Sequence, residues 1–177
     1  MRIELDVEVL RDGIREIPDF PKAGVSFKDV TPLLLDHVAF STAVDALVVH
    51  FGRGTVDKVV GIEARGFILA APVAYHFGAG FVPVRKKGKL PAATTSIDYE
   101  LEYGTETLEI HEDAIDPGER VVIVDDVLAT GGTANATAEL VKRLGGEVVG
   151  MGFLIELTFL GGAERISAYN HVSLITY

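Results

Sequence analysis

The stretch Val121-Val-Ile-Val-Asp-Asp-Val-Leu-Ala-Thr-Gly-Gly-Thr133 decides how this chain is read. Its continuous run of branched apolar residues suits a strand buried on both faces of a parallel sheet. The strand is expected to end in two adjacent acids, after which a loop of small residues, Ala129 to Thr133, opens a helix. At the carboxyl end of a parallel strand, such a loop is where α/β proteins place ligands. Gly131 and Gly132 carry no Cβ, so several backbone N–H groups can approach one anion. The positive end of the following helix and the Thr130 and Thr133 hydroxyls complete a cradle for a phosphate dianion.

Asp125 and Asp126 need a separate reason, because carboxylates beside a phosphate repel it unless something lies between. A ribose fits: its vicinal hydroxyls donate to the acids while the loop holds the 5-phosphate. The pattern is not a Walker loop, since no Gly-Lys-Ser/Thr follows, nor a Gly-x-Gly-x-x-Gly turn. A plain glycine-rich turn with the acids as helix caps is the alternative reading.

Outward from this segment, Lys58-Val-Val-Gly-Ile62 and Glu147 to Ile155 read as further buried strands, and Gly80 to Arg85 as a fourth. Helical spacing covers Phe67 to Phe77 and Thr133 to Leu144, the latter stopped by Gly145-Gly146. Strands alternating with helices predict an α/β, doubly wound, mainly parallel sheet. Two parts depart from the alternation. The first is an N-terminal segment with a helix over Asp36 to Phe51 behind a Pro- and Gly-punctuated stretch. The second, Thr94 to Glu112, reads as an exposed antiparallel hairpin.

Composition bounds the rest. At 177 residues the chain has the size of one domain, able to bury about 70% of its unfolded surface. The net charge of -10 argues against nucleic-acid or anionic-membrane partners, which need a basic face. Zero cysteines, no signal-peptide pattern and no apolar run of transmembrane length predict a cytoplasmic protein. In so acidic a chain the run Arg85-Lys-Lys-Gly-Lys89 is a candidate for handling anions, with a solvated basic loop as the alternative.

Taken together, the strand, the acid pair and the Thr-Gly-Gly-Thr loop resemble the phosphoribosyl pyrophosphate (PRPP) signature of type I phosphoribosyltransferases. Further segments narrow the resemblance to the adenine phosphoribosyltransferases. Ile17-Pro-Asp-Phe-Pro-Lys-Ala-Gly-Val-Ser-Phe-Lys28 and its continuation to Leu34 resemble the family's base-binding hood, over about residues 1–35. Ile62-Glu-Ala-Arg-Gly-Phe67 resembles its pyrophosphate loop. Arg85 to Pro91 with Tyr99-Glu-Leu-Glu-Tyr-Gly104 resembles its flexible lid, over about residues 86–112, and Glu156-Leu-Thr158 also fits.

The resemblance implies roles. Asp125 and Asp126 hold the ribose, and Ala129, Thr130, Gly131, Gly132 and Thr133 hold the 5-phosphate. Arg65 and Ala64 bind pyrophosphate, with a cis peptide expected at Glu63-Ala64, and Lys86 and Lys89 also touch substrate. Glu102, a lid residue beside Tyr103, manages the purine's ring proton, so Glu102 and Arg65 are the implied catalytic residues. Val25, Ser26, Phe27 and Lys28 bind the base, Phe27 by stacking. Position 28 is Lys where some members carry Arg, which keeps the charge but loses the planar fork. Mg²⁺, bound mainly through PRPP and pyrophosphate oxygens with no metal ligand from the protein, and a homodimer are implied likewise. Transfer to another purine base, or a regulator that binds PRPP or a purine as a signal, are the competing readings.

Overall fold

A computed structural model describes residues 7–52, 54–100 and 104–177. The chain divides into two compact units, Met1–Ala46 and Leu47–Tyr177.

The N-terminal unit holds α1 (Val7–Asp12), β1 (Arg15–Ile17), β2 (Phe27–Asp29), α2 (Thr31–Leu35) and the first part of α3 (His37–Phe51). Strands β1 and β2 pair antiparallel, Glu16 opposite Lys28 and Ile17 opposite Phe27. The expected helix over Asp36 to Phe51 is present, with Asp36 outside it as a cap: its Oδ1 accepts from the Val38 and Ala39 N–H groups, each at 2.9 Å. Those bonds, that of Ala39 foremost, lower the Asp36 pKa.

The second unit is built on a seven-stranded sheet. In chain order its elements are β3 (Lys58–Ile62), α4 (Gly66–Phe77), β4 (Gly80–Lys86), β5 (Thr94–Glu100), β6 (Thr105–His111) and β7 (Arg120–Leu128). Then follow α5 (Gly132–Arg143), β8 (Glu147–Glu156), a short 3-10 turn (Thr158–Leu160), α6 (Gly162–Arg165) and β9 (His171–Thr176). The strand order is β5-β6-β4-β3-β7-β8-β9. All neighbours from β4 to β9 are parallel, whereas β6 joins β4 and β5 antiparallel. The doubly wound, mainly parallel sheet is therefore present. Between β3 and β7 the winding reverses direction, β3 leading to β4 on one side and β7 to β8 on the other. A crevice opens at the carboxyl ends of strands at such a reversal.

Two strand readings change. β7 does not stop at the acids: pairing with β8 carries it on to Leu128, with Asp125 opposite Phe153 and Leu128 opposite Glu156. The hairpin of β5 and β6 is not an exposed one either. Tyr99, Leu108 and Ile110 are buried in one cluster with Ala134, Ala138 and Leu140 of α5, and the Arg143 Nη1 of α5 donates to Ser96 O at 2.7 Å. Apolar burial on one face thus holds the hairpin down. Where α3 enters this unit, Leu47 lies over Gly152 of β8, and a Cβ there would stand 2.8 Å from its Cδ2. No helix among the described residues is long and apolar enough to cross a membrane.

Candidate functional site

Two strand-to-helix loops meet at the reversal. After β7, the chain turns at Gly131, whose φ of +75° lies in the left-handed region that disfavours any side chain. Gly131 caps α5, so the first-turn N–H groups from Gly132 onward have no partner within the helix. The loop borders a cavity of about 360 Å³ lined by Asp125, Leu128, Ala129 to Ala134, Phe153 and Leu160. The structure therefore brings together Asp125, Ala129, Thr130, Gly131, Gly132 and Thr133, as the spacing predicted.

The two acids separate, because successive residues on a strand face opposite ways. Asp125 lines the cavity, and its Oδ1 accepts from the Asp126 N–H at 2.9 Å. Desolvation, and then the neighbouring Asp126 charge, push the Asp125 pKa well above its ordinary value. Asp126 is buried and does not line the cavity; its Oδ2 lies 2.8 Å from Nε of Arg65. That contact is an ion pair without hydrogen-bond alignment, and the Oδ2 atom accepts no hydrogen bond among the described residues.

After β3, the peptide Glu63-Ala64 is cis, as the resemblance implied. Arg65 caps α4 and Gly66 begins it. Gly66 is packed against Asp125: a Cβ there would stand 2.6 Å from Asp125 Oδ1 and 3.2 Å from Val124 O. Arg65, Gly66 and the two acids thus form one constellation.

The basic run is engaged by carboxylates. Glu63, its side chain 8% exposed, accepts from the Lys86 N–H at 3.0 Å, pairs with Arg85 at 3.4 Å and binds Lys89. Burial pushes the Glu63 pKa up, but the Lys89 hydrogen bond and the other partners outweigh it and hold it below the usual value. Lys86 pairs with Glu106, which raises its pKa, and the Gly88 N–H donates to the buried Glu109 at 2.9 Å. Lys86 and Lys89 stay about half exposed, so the run is solvated as that alternative held, but the charges of Arg85, Lys86 and Lys89 are paired with carboxylates. Glu63, Glu106 and Glu109 escaped the sequence reading because the β4–β6 register that sets two of them beside the run has no local signature.

Of the base-binding candidates, all in the N-terminal unit, Phe27 is half-buried edge-on to Phe20, ring centroids 5.1 Å apart. Ser26 donates to Glu16, and Lys28, 12% exposed, pairs with the same carboxylate at 3.2 Å. Val25 donates its N–H to Lys22 O at 3.2 Å and accepts from Phe20 N at 3.2 Å. Glu102 and Tyr103 lie outside the described residues.

A family profile described as "Phosphoribosyl transferase domain" matches residues 34–173. Curated relatives include the adenine phosphoribosyltransferase of Acidothermus cellulolyticus, 61% identical over 161 residues, 91% of each chain. That of Desulfitobacterium hafniense is 60% identical over 164 residues, covering 93% of this chain and 95% of the relative. Among solved structures, the adenine phosphoribosyltransferase of Thermoanaerobacter pseudethanolicus superposes with a TM-score of 0.93 at 55% identity, over 97% of this chain and 99% of the other. The Saccharomyces cerevisiae enzyme, complexed with an imino-altritol bisphosphate and adenine, gives 0.90 at 38% identity over 95% and 97%.

Proposed function

The chain belongs to the adenine phosphoribosyltransferases of the phosphoribosyl transferase family, enzymes of purine salvage, and from that premise we propose how its own residues carry the conversion of adenine and PRPP to AMP and pyrophosphate. The observation that carries the reading is the cavity that Asp125 shares with the Ala129–Thr133 loop. There the first-turn N–H groups and the two Thr hydroxyls bind the 5-phosphate, and the helix end favours its charge.

Asp125, with its raised pKa, donates or accepts according to its protonation and so suits a ribose hydroxyl. Asp126 Oδ2, buried in an ion pair with Arg65 and accepting no hydrogen bond among the described residues, supplies a further acceptor. As the bond from C1 to pyrophosphate lengthens, positive charge grows on the ribose ring, and the acid pair stabilises it. Arg65, with Ala64 beside it, binds the departing pyrophosphate. Lys86 and Lys89 join when the dianion displaces their carboxylate partners.

Val25 to Lys28 bind adenine, Phe27 by stacking and the backbone by reading its edge. Glu102 manages the purine's ring proton and Tyr103 binds substrate, with the hairpin excluding water. Mg²⁺ would be held through PRPP and pyrophosphate oxygens rather than by a set of protein ligands, and would supply charge neutralisation to the pyrophosphate that Arg65 binds. The protein acts in the cytoplasm as a homodimer.

Incubation with PRPP, Mg²⁺ and each purine or orotate separately tests the reading. Adenine is expected to give AMP far faster than the others; preferred turnover of hypoxanthine or guanine, or PRPP binding without turnover, would overturn it. Chelation should abolish turnover, and sedimentation should give twice the chain mass.

A further inference from the structure

Thr133 of the loop does not stand alone. Its hydroxyl donates to Tyr99 Oη at 3.3 Å, and the Tyr99 hydroxyl donates to Glu106 Oε2 at 3.1 Å, while Glu106 Oε1 is held by Lys86. Tyr99 belongs to the hairpin strand β5 and is buried, its ring beside the loop: a Cβ on Gly132 would stand 3.6 Å from Tyr99 Cδ2.

The polarity of this chain follows from its proton count. A carboxylate paired with a lysine only accepts, so Tyr99 gives its single proton to Glu106. The Tyr99 oxygen then has only lone pairs to offer Thr133, and Thr133 answers with its own single proton. A phosphate dianion also only accepts. Burial, foremost, raises the Tyr99 pKa and keeps the phenol protonated, so this polarity persists through the neutral range.

We propose that Tyr99 is a positioning residue that competes with the 5-phosphate of PRPP for the Thr133 hydroxyl proton, and so sets the affinity of the cradle. The proposal rests on the assignment of the Ala129–Thr133 loop as that cradle. Glu106 is the element that makes Tyr99 an acceptor; Lys86 keeps Glu106 in place. When the phosphate arrives, Thr133 turns its proton from a long neutral hydrogen bond to a charged acceptor, and Tyr99 Oη gives up its donor. The parent protein loses a hydrogen bond on binding that a phenylalanine variant never had.

The sign of the effect separates this role from a structural one. Tyr99→Phe keeps the ring and its packing, and is expected to tighten PRPP about two- to tenfold, the worth of one neutral hydrogen bond. Calorimetric titration of PRPP without adenine reads it, with thermal unfolding to show that the variant is folded. The adenine KM is expected to stay unchanged. Thr133→Ala should weaken PRPP, and Tyr99→Phe should add no gain in that background. Equal or weaker PRPP binding by Tyr99→Phe, with Thr133→Ala weakened, would overturn the competition and leave the cradle standing. A Thr133→Ala protein that binds PRPP as tightly as the parent would overturn the cradle and the competition with it.

Discussion

Gly66→Ala offers the sharpest test of the contact between the two loops. The backbone at Gly66 is an ordinary helical start, so alanine is conformationally permitted and brings about 0.5 to 1 kcal/mol of helix propensity. Against that gain, the new methyl would stand 2.6 Å from Asp125 Oδ1, 3.2 Å from Val124 O and 3.3 Å from Asp125 Cα. Non-bonded heavy atoms prefer about 3.5 Å, so the overlap with the carboxylate is about 0.9 Å. Val124 is held by β3 and Asp125 by β8, so the carboxylate must yield before the backbone. Overpacking of this kind costs about 1 to 3 kcal/mol, leaving a net loss of roughly 0.5 to 2 kcal/mol once the helix gain is set against it.

The functional effect is expected to be larger. A carboxylate turned out of the cavity forfeits a charged hydrogen bond to the ribose, about 1.5 to 3 kcal/mol, or roughly a ten- to hundredfold rise in the PRPP KM with the adenine KM little changed. Urea unfolding and steady-state kinetics measure both, and a double-mutant cycle with Asp125→Ala isolates the cause: Gly66→Ala should lose most of its cost once Oδ1 is gone. An equal cost in both backgrounds, or an unchanged PRPP KM, would refute the reasoning.

Asp125→Asn should stabilise the fold in a pH-dependent way. The folded pKa of Asp125 lies above its unfolded value of about 3.9, so ionisation opposes folding. Relative to the parent, the variant should show no pH-dependent gain below that value, an advantage that grows as pH rises through the folded pKa, and a plateau above it. Unfolding curves across pH that run parallel would count against this. Arg65→Met leaves the buried Asp126 carboxylate without its cation. Because Arg65 is 42% exposed, solvent screening reduces the full buried-pair penalty to about 1 to 2 kcal/mol. The same variant should lose roughly ten- to hundredfold in kcat/KM for PRPP through the pyrophosphate contact, and retention of that value would remove Arg65 from the pyrophosphate site.

Much of the second unit is legible without coordinates. Lys58–Ile62 is a strand over the residues expected, because a continuous branched apolar run fits a strand covered on both faces. Gly131 marks the turn into α5 because its positive φ and the Gly162 carbonyl, 2.7 Å from where a Cβ would stand, both exclude a side chain there. What local pattern does not contain is pairing. Asp125 and Asp126 read as the end of a strand, whereas β8 extends the ladder past them and sends one acid to the cavity and the other to Arg65. The run Arg85 to Lys89 reads as free positive charge, whereas Glu63, Glu106 and Glu109 take up most of its donors.

Sequence by itself thus determined the α/β class and the place of the small-residue loop Ala129 to Thr133 between a buried strand and a helix, since these depend on residue type at short spacing. Tertiary structure alone decided the raised pKa of Asp125, the partners of the basic run and the Tyr99–Thr133 contact. Each of these depends on burial or on a neighbour brought in by strand register, and no short-range rule fixes which residues a sheet sets side by side.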